Sequence, residues 1–351
     1  MIFLFSITDE IDKINYERVI IMEVNQNAMK AALQLYQEKP WDLFDSTEVF
    51  EIGGYDAYGK AFCFFHEKHG KKCITVFEGP EAFTDLSNHF KPLGIQRVDV
   101  FHYLQRECFE ILFDVPEFLE QQEKQTGELL GLTLREIPAI RYFERFCTSD
   151  IANEMELQRL VLILEGLKEA MLAYLKSGMN LDFSKRRFVY HVKKKTCSSK
   201  RSGYRPKKYD VVEIDDPLLM DELKESQRTE EVWEIDLQPT SMSLTSEHTG
   251  RLQPVMMTAI SSPLTDQILA AVPIASNNDM QFQCIDLVIE ALMQRGLPQA
   301  LMVRHPLVGS ALMDLCMKLN IQLIPVEHFE MLDEFYDGMM NYFEGMNEKI
   351  C

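Results

Sequence analysis

From Val255 onward the sequence alternates short β-rich runs with helical stripes, and this rhythm leaves few architectures open. Val255–Ile260 and Gln267–Ile274 read as strands on either side of a turn at Ser261-Ser262-Pro263. Asp279–Arg295 reads as a helix, with Phe282, Ile285, Leu287, Ile289 and Leu292 apolar and Gly296 ending it. Gln299–Val303 is a strand, and Pro306 suits the first turn of a helix running to Leu319, where Asn320 can adopt the left-handed cap. Ile321–Val326 and a helix from Phe329 to about Phe343 complete the series. The order β-β-α-β-α-β-α predicts a mixed sheet with helices on both faces, a three-layer α/β part.

The first half has a different texture. Asn25–Lys39 reads as a helix stopped by Pro40, and Trp41–Ile52 as extended chain. Ala61–His66 and Cys73–Phe77 flank His69-Gly70, a hairpin signal. Gly79-Pro80 opens a helix over Glu81–Phe90, and Glu117–Leu130 is helical up to Gly131. Val98–Asp114 carries no decisive period and fits strand or helix. Asp150–Lys176 is the longest helical signal, with Ser149 or Asp150 as its cap, Gly178 just beyond it, and a wide stripe from Leu157 to Leu175 expected at the centre of a core. Arg187–Val192 and Tyr209–Ile214 read as strands joined by a basic loop, and Asp215–Glu231 as an acidic linker. The fold class is therefore α+β. The expected domains are 1–184, hairpin and helices; 185–231, basic strap and linker; and 232–351, α/β.

Charge is unevenly spread. The 351 residues carry 55 Asp plus Glu against 36 Lys plus Arg, net −19, which disfavours bulk affinity for phosphate backbones and anionic membrane. Yet 185–208 contains eleven basic residues and no acid, leaving the rest of the chain at −30. Lys193, Lys194, Lys195, Lys200, Arg201, Arg205, Lys207 and Lys208, with Tyr204 among them, are candidate contacts to an anion or nucleic acid. Cations interleaved with rings are how single strands are held. The bland alternative is a solvated loop, or pairing with the acidic body of the same chain.

No apolar run approaches the ~18–20 residues of a membrane span. The opening Met1–Ser6 is too short for a signal h-region, so a cytoplasmic location is expected. The eight cysteines are scattered without a Cys-x-x-Cys pair, as for reduced, packed thiols.

Three stretches resemble an uncharacterised, mostly Gram-positive bacterial two-part family: Ala61–Phe90 around Val76-Phe-Glu-Gly-Pro-Glu81, Cys108–Arg135, and Gly296–Arg304 with Leu319–Leu323. The resemblance implies a fold and a function not yet known, and brings no site residue. The last third also loosely resembles a ribonuclease H-like domain. Such nucleases hold two metal ions on carboxylates of the first strand and of a later one. With Val255–Ile260 taken as first strand and Val303-Arg304-His305 ending the later one, neither supplies an acid.

Chemistry-bearing motifs are few. Cys63-x2-His66-x2-His69-x3-Cys73 holds zinc-ligand residue types, but strand alternation sends Cys63 and His66 to opposite faces and leaves His69 in the turn. Glu222-Leu-Lys224 after Asp215-Asp216 is the acidic-x-Lys pattern of restriction-type nucleases, here on an expected linker. There is no phosphate loop and no nucleophile elbow. Arg304 and His305 stand between a strand end and a helix N-terminus, a candidate anion site; His305 serving as the helix cap is the plainer account. No catalytic residue, cofactor or metal is expected. The final helix sets Leu332, Phe335, Tyr336, Met339, Phe343 and Met346 on one face, more simply core than interface. The expectation is a non-enzymatic binding or regulatory protein, with a protein partner or self-association. The alternatives are a nucleic-acid-directed protein acting through 185–208, in a host-defence setting, and an enzyme whose site the sequence does not display.

Overall fold

A computed structural model describes residues 23–55, 59–205, 207–247 and 249–347, with side chains through 340. The chain divides into two compact units that interleave in sequence. The first comprises Met1–Lys91, Arg106–Arg145 and Ser149–Arg205; the second comprises Pro92–Gln105, Phe146–Thr148 and Pro206–Cys351. Among the described residues no helix is long and apolar enough to cross a membrane.

The first unit is built on an eight-stranded sheet. Its strands are β1 (Phe50–Gly53), β2 (Lys60–Lys68), β3 (Lys71–Phe77), β4 (Cys108–Leu112), β5 (Ala139–Phe143), β6 (Asp150–Ile151), β7 (Arg186–His191) and β8 (Thr196–Arg201). The spatial order is β6-β5-β4-β3-β2-β1-β7-β8, antiparallel except where β1 runs parallel to β7. β2 and β3 form the expected hairpin, and its two turn residues both take positive φ, His69 at 52° and Gly70 at 73°. That pairing of left-handed residues matches the strand twist.

Strand alternation sorts the side chains into two cores. Cys63 and Phe65 face a cluster with Phe50, Ile52, Ile74 and Phe109. Onto it pack helix α1 (residues 23–37) through Ala28, Ala32 and Leu35, and α5 (Glu154–Ser177) through Leu157, Leu160, Leu164 and Leu167. Phe62 and Phe64 face the other way, under Leu86 and Phe90 of α2 (Ala82–Phe90). The long helix is central, as its stripe predicts. Its cap differs: 150–151 forms an edge strand, and Asn153 caps instead, its side chain accepting the Glu156 amide in a capping box. Gly166 lets α5 lie close to the sheet, since a Cβ there would come within 2.9 Å of Ile52 and Val192. Where Trp41–Ile52 reads as extended, the chain makes a 3-10 turn at Pro40–Asp42 and enters a strand only at Phe50. The helix α4 (Gln121–Leu129) is shorter than its signal, and Gly131, just beyond its Leu130 cap, takes φ 71°.

The undecided stretch 98–114 is both things in turn: α3 (Gln96–Leu104), which belongs to the second unit, and then β4, which belongs to the first. The basic strap also differs from expectation. β7 and β8 pair within it, from Arg186↔Arg201 to His191↔Thr196, and 209–214 forms no strand.

The second unit has a five-stranded mixed sheet of order β11-β10-β9-β12-β13. Its strands are β9 (Val232–Thr245), β10 (Leu252–Ser262), β11 (Gln267–Ala275), β12 (Ala300–Val303) and β13 (Gln322–Pro325). β9, β10 and β11 are antiparallel, and β12 runs parallel to β9 and β13. The helices α7 (Met280–Arg295) and α8 (Pro306–Leu319) cover one face and α9 (Met331–Asn347) the other, giving three layers. The expected order therefore gains a strand at its front, because β9 escapes the sequence reading. The supposed linker 215–231 contains α6 (Pro217–Glu225), capped by Asp216 and burying Met220 and Leu223. α8 follows expectation at both ends, with Pro306 in its first turn and Asn320 at φ 53°.

Candidate functional site

β9 reads Val232-Trp-Glu-Ile-Asp-Leu-Gln238, apolar and polar in strict alternation. A strand sends alternate residues to opposite faces. Trp233, Ile235 and Leu237 join the core under α7 and α8. Glu234, Asp236 and Gln238 are buried as well, within the second unit. A buried charge survives only if paired or fully hydrogen-bonded, so their partners decide what the site is.

Glu234 is spent on α9. Its carboxylate accepts the amides of Glu330, Met331 and Leu332 at 2.8, 3.1 and 3.0 Å, and the Ser261 hydroxyl at 2.8 Å. These are the orphan N–H groups of a helix start, satisfied by an anion from the sheet. Asp236 pairs with the guanidinium of Arg304, at the end of β12, and accepts from Gln238 Nε2 at 2.9 Å. Arg304 donates its other arm to Asp333 of α9 at 2.8 Å and rests on the Phe329 ring, 4.7 Å from its centroid. Arg97 of α3 continues the chain of charges, 3.3 Å from Asp333 and 2.5 Å from Asp337. The Tyr336 hydroxyl donates to the Asp236 and Met257 carbonyls at 3.2 and 3.3 Å.

Burial pushes the Asp236 carboxyl up, with Arg304 pulling the other way. For Asp333, burial alone would raise the carboxyl. The Arg304 hydrogen bond, the Phe329 amide and the charges of Arg304 and Arg97 instead hold it below its ordinary value. Among the described residues Asp236 Oδ1 and Arg304 Nε have no hydrogen-bond partner.

Beside this layer, His305 caps α8, Nδ1 accepting the Leu307 amide at 3.0 Å. Phe101 of α3 packs edge-on against it at 4.3 Å. Burial, then the neighbouring His102 and Arg304, push His305 down to about 3, so the imidazole is neutral and its Nε2 carries the proton. The carboxyl end of a parallel strand is where α/β sheets commonly take ligands. At the end of β12 that place holds Phe101, and Arg304 and His305 are both buried.

The basic strap splits by role. Arg187 and Lys200 both reach Glu51 at 2.7 Å. Burial alone would raise Glu51, but these two bonds hold it below its ordinary value. Tyr204 is half-buried, stacked on Phe90 at 5.3 Å. Phe188 and Tyr190 are buried in the first unit's core. Lys193, Lys194 and Lys195 stand exposed at the turn between β7 and β8, and Arg201 and Arg205 are exposed too. In the second unit, Lys207 lies 5.4 Å over the Tyr209 ring and Lys208 is exposed.

The Cys-His stretch follows strand parity. Cys63 faces the α5 side, while His66 stacks near Phe64 on the α2 side, opposite Cys73 in register. His66 Nε2 lies 2.8 Å from Thr75 Oγ1. Burial pushes the Cys73 thiol up to about 12 and Cys63 higher still, so neither is a ready thiolate ligand. Among the described residues no group of three or more His, Cys, Asp or Glu converges as a metal site. A cavity of about 500 Å³ opens beside His66, His89, Glu67 and Lys72; burial lowers both imidazoles, His89 to about 4.

Glu234, Asp236, Asp333 and Tyr336 are absent from the sequence-derived candidates as polar residues of a site. The period-2 alternation from Val232 to Gln238 was the available signal. Charged alternate positions normally face water, and here they face α9.

No curated protein matches the chain. Residues 26–191 match the family model of a domain of unknown function, DUF7309, a contiguous stretch that includes the segments lent to the second unit. Residues 219–340 match that of another domain of unknown function, DUF6930. Together the two matches cover most of the chain and support an uncharacterised family.

Proposed function

We propose that this is a non-enzymatic binding protein, its second unit a ribonuclease H-like scaffold without metal-dependent chemistry. The observation that carries the reading is the position of Arg304. Two-metal catalysis needs carboxylates that converge on an unfilled position. The first strand of this sheet does carry acids, contrary to the expectation built on Val255–Ile260, but neither is available. Glu234 is saturated by the amides of α9, and Asp236 and Asp333 share one buried guanidinium. The protein's own cation occupies the place where a metal would be drawn. α3 supports the reading further, by filling the strand end with Phe101 and Arg97.

Incubation with single- and double-stranded DNA and RNA in Mg²⁺ or Mn²⁺ tests this. All substrates are expected to stay intact, and melting to be insensitive to EDTA. Cleavage that disappears on Asp236→Asn overturns the reading.

A further inference from the structure

We propose that the binding surface includes the tip of the β7–β8 hairpin, and that its partner is the phosphate backbone of a nucleic-acid duplex, contacted without base stacking. The proposal rests on the reading of the chain as a binding protein and names its partner.

Three observations support it. First, the tip presents Lys193, Lys194 and Lys195 in succession, all exposed, and among the described residues none pairs with them. The strap cations that do neutralise the protein's own acids are others: Arg187 and Lys200 on Glu51, and Lys185 on Asp182. Second, the aromatic rings Phe188, Tyr190 and Tyr204 that lie among the basic residues are engaged elsewhere. Phe188 is 0% and Tyr190 5% exposed, Tyr190 donates to Glu169 at 2.7 Å, and Tyr204 stacks on Phe90. Non-specific binding of single strands draws much of its strength from bases stacked on such rings. Third, a tip that offers charge alone favours the ligand with the densest charge. A duplex carries a phosphate charge about every 1.7 Å of axis, twice the density that either of its strands contributes alone. A two-stranded ribbon also fits a major groove. The −30 borne by the rest of the chain opposes long-range attraction, so binding belongs to low salt.

Fluorescence anisotropy on the full chain tests this, with labelled duplex DNA, duplex RNA, a single strand of equal length, and polyglutamate as a non-nucleic polyanion. Duplex binding is expected to weaken between about 50 and 200 mM salt, with a slope of log K on log salt near −2.7 for three contacts at about 0.9 each. The single strand and polyglutamate should bind more weakly. The triple variant Lys193→Ser, Lys194→Ser, Lys195→Asn should keep the wild-type melting temperature and lose at least about tenfold in duplex affinity. Asn is chosen at 195 because that residue sits at φ 49°. Tyr204→Leu should bind as wild type. Absence of duplex binding at about 50 mM salt, equal affinity for the single strand or polyglutamate, or an unaffected triple variant each overturns the proposal. None of these bears on the Mg²⁺ and Mn²⁺ cleavage assay, so the two readings fail separately.

Discussion

Arg304 is the residue on which the second unit turns. Its side chain is 1% exposed and that of Asp236 0%, so neither charge has water to fall back on. Removing one member of such a pair leaves an uncompensated buried charge and typically costs about 3–5 kcal/mol. Arg304→Met should therefore destabilise the protein by about that amount in urea unfolding, whereas Asp236→Asn with Arg304→Met should recover most of the loss. Asp333 keeps Arg97 in both variants, which confines the effect to Asp236. If the double variant is no more stable than the single, the pair is not what holds these residues together. Arg304 and His305 were visible in the sequence as a pair at a helix start. Their partners were not, because Asp236 and Asp333 lie 68 and 29 residues away from Arg304 in the chain.

Among the elements, α9 depends on a distant anion. Its apolar face is legible from Leu332 and Tyr336, both buried against Ala259 of the sheet. Its start is not legible, because the carboxylate that satisfies its first amides comes from Glu234, on another element. Hydrogen bonds to a charged group contribute about 1.5–3 kcal/mol, so Glu234→Ala should cost at least about 2 kcal/mol. It should also speed hydrogen exchange at Glu330, Met331 and Leu332. Unchanged exchange there rejects the capping role. The edges of the two sheets carry recognised defences against strand addition. β6 is two residues long, β8 bears Lys200 and Arg201, β11 has a bulge against Ile260/Ser261 and contains Pro273, and β13 ends at Pro325. Lysine on an edge strand thus has a structural use of its own, which is why the proposed contacts are confined to the turn.

The whole molecule is organised by a loan of chain. Pro92–Gln105 is flanked on both sides by residues of the first unit, yet it completes the second, burying Phe101 in the core of Trp233, Ile235 and Leu315. A fragment of residues 206–351 would lack α3, leaving His305 without its Phe101 contact and Asp333 without Arg97. Such a fragment should bind a hydrophobic dye and lack a sharp near-ultraviolet dichroism signal, and a fragment that melts as cooperatively as the full chain would show α3 to be dispensable. The sequence by itself determined what depends on near neighbours: the hairpin at His69-Gly70, the central helix ending at Gly178, α8 between Pro306 and Asn320, and the α/β rhythm from Val255 onward. Caps, turns and hydrophobic periods act over a few residues, so they can be read along the chain. Only the tertiary structure decided that β9 buries its charged positions, that 92–105 joins the second unit, and that a guanidinium stands between Asp236 and Asp333. Those outcomes rest on desolvation and on ion pairs between residues far apart in sequence, and a charge seen along the chain does not reveal whether water or another side chain will balance it.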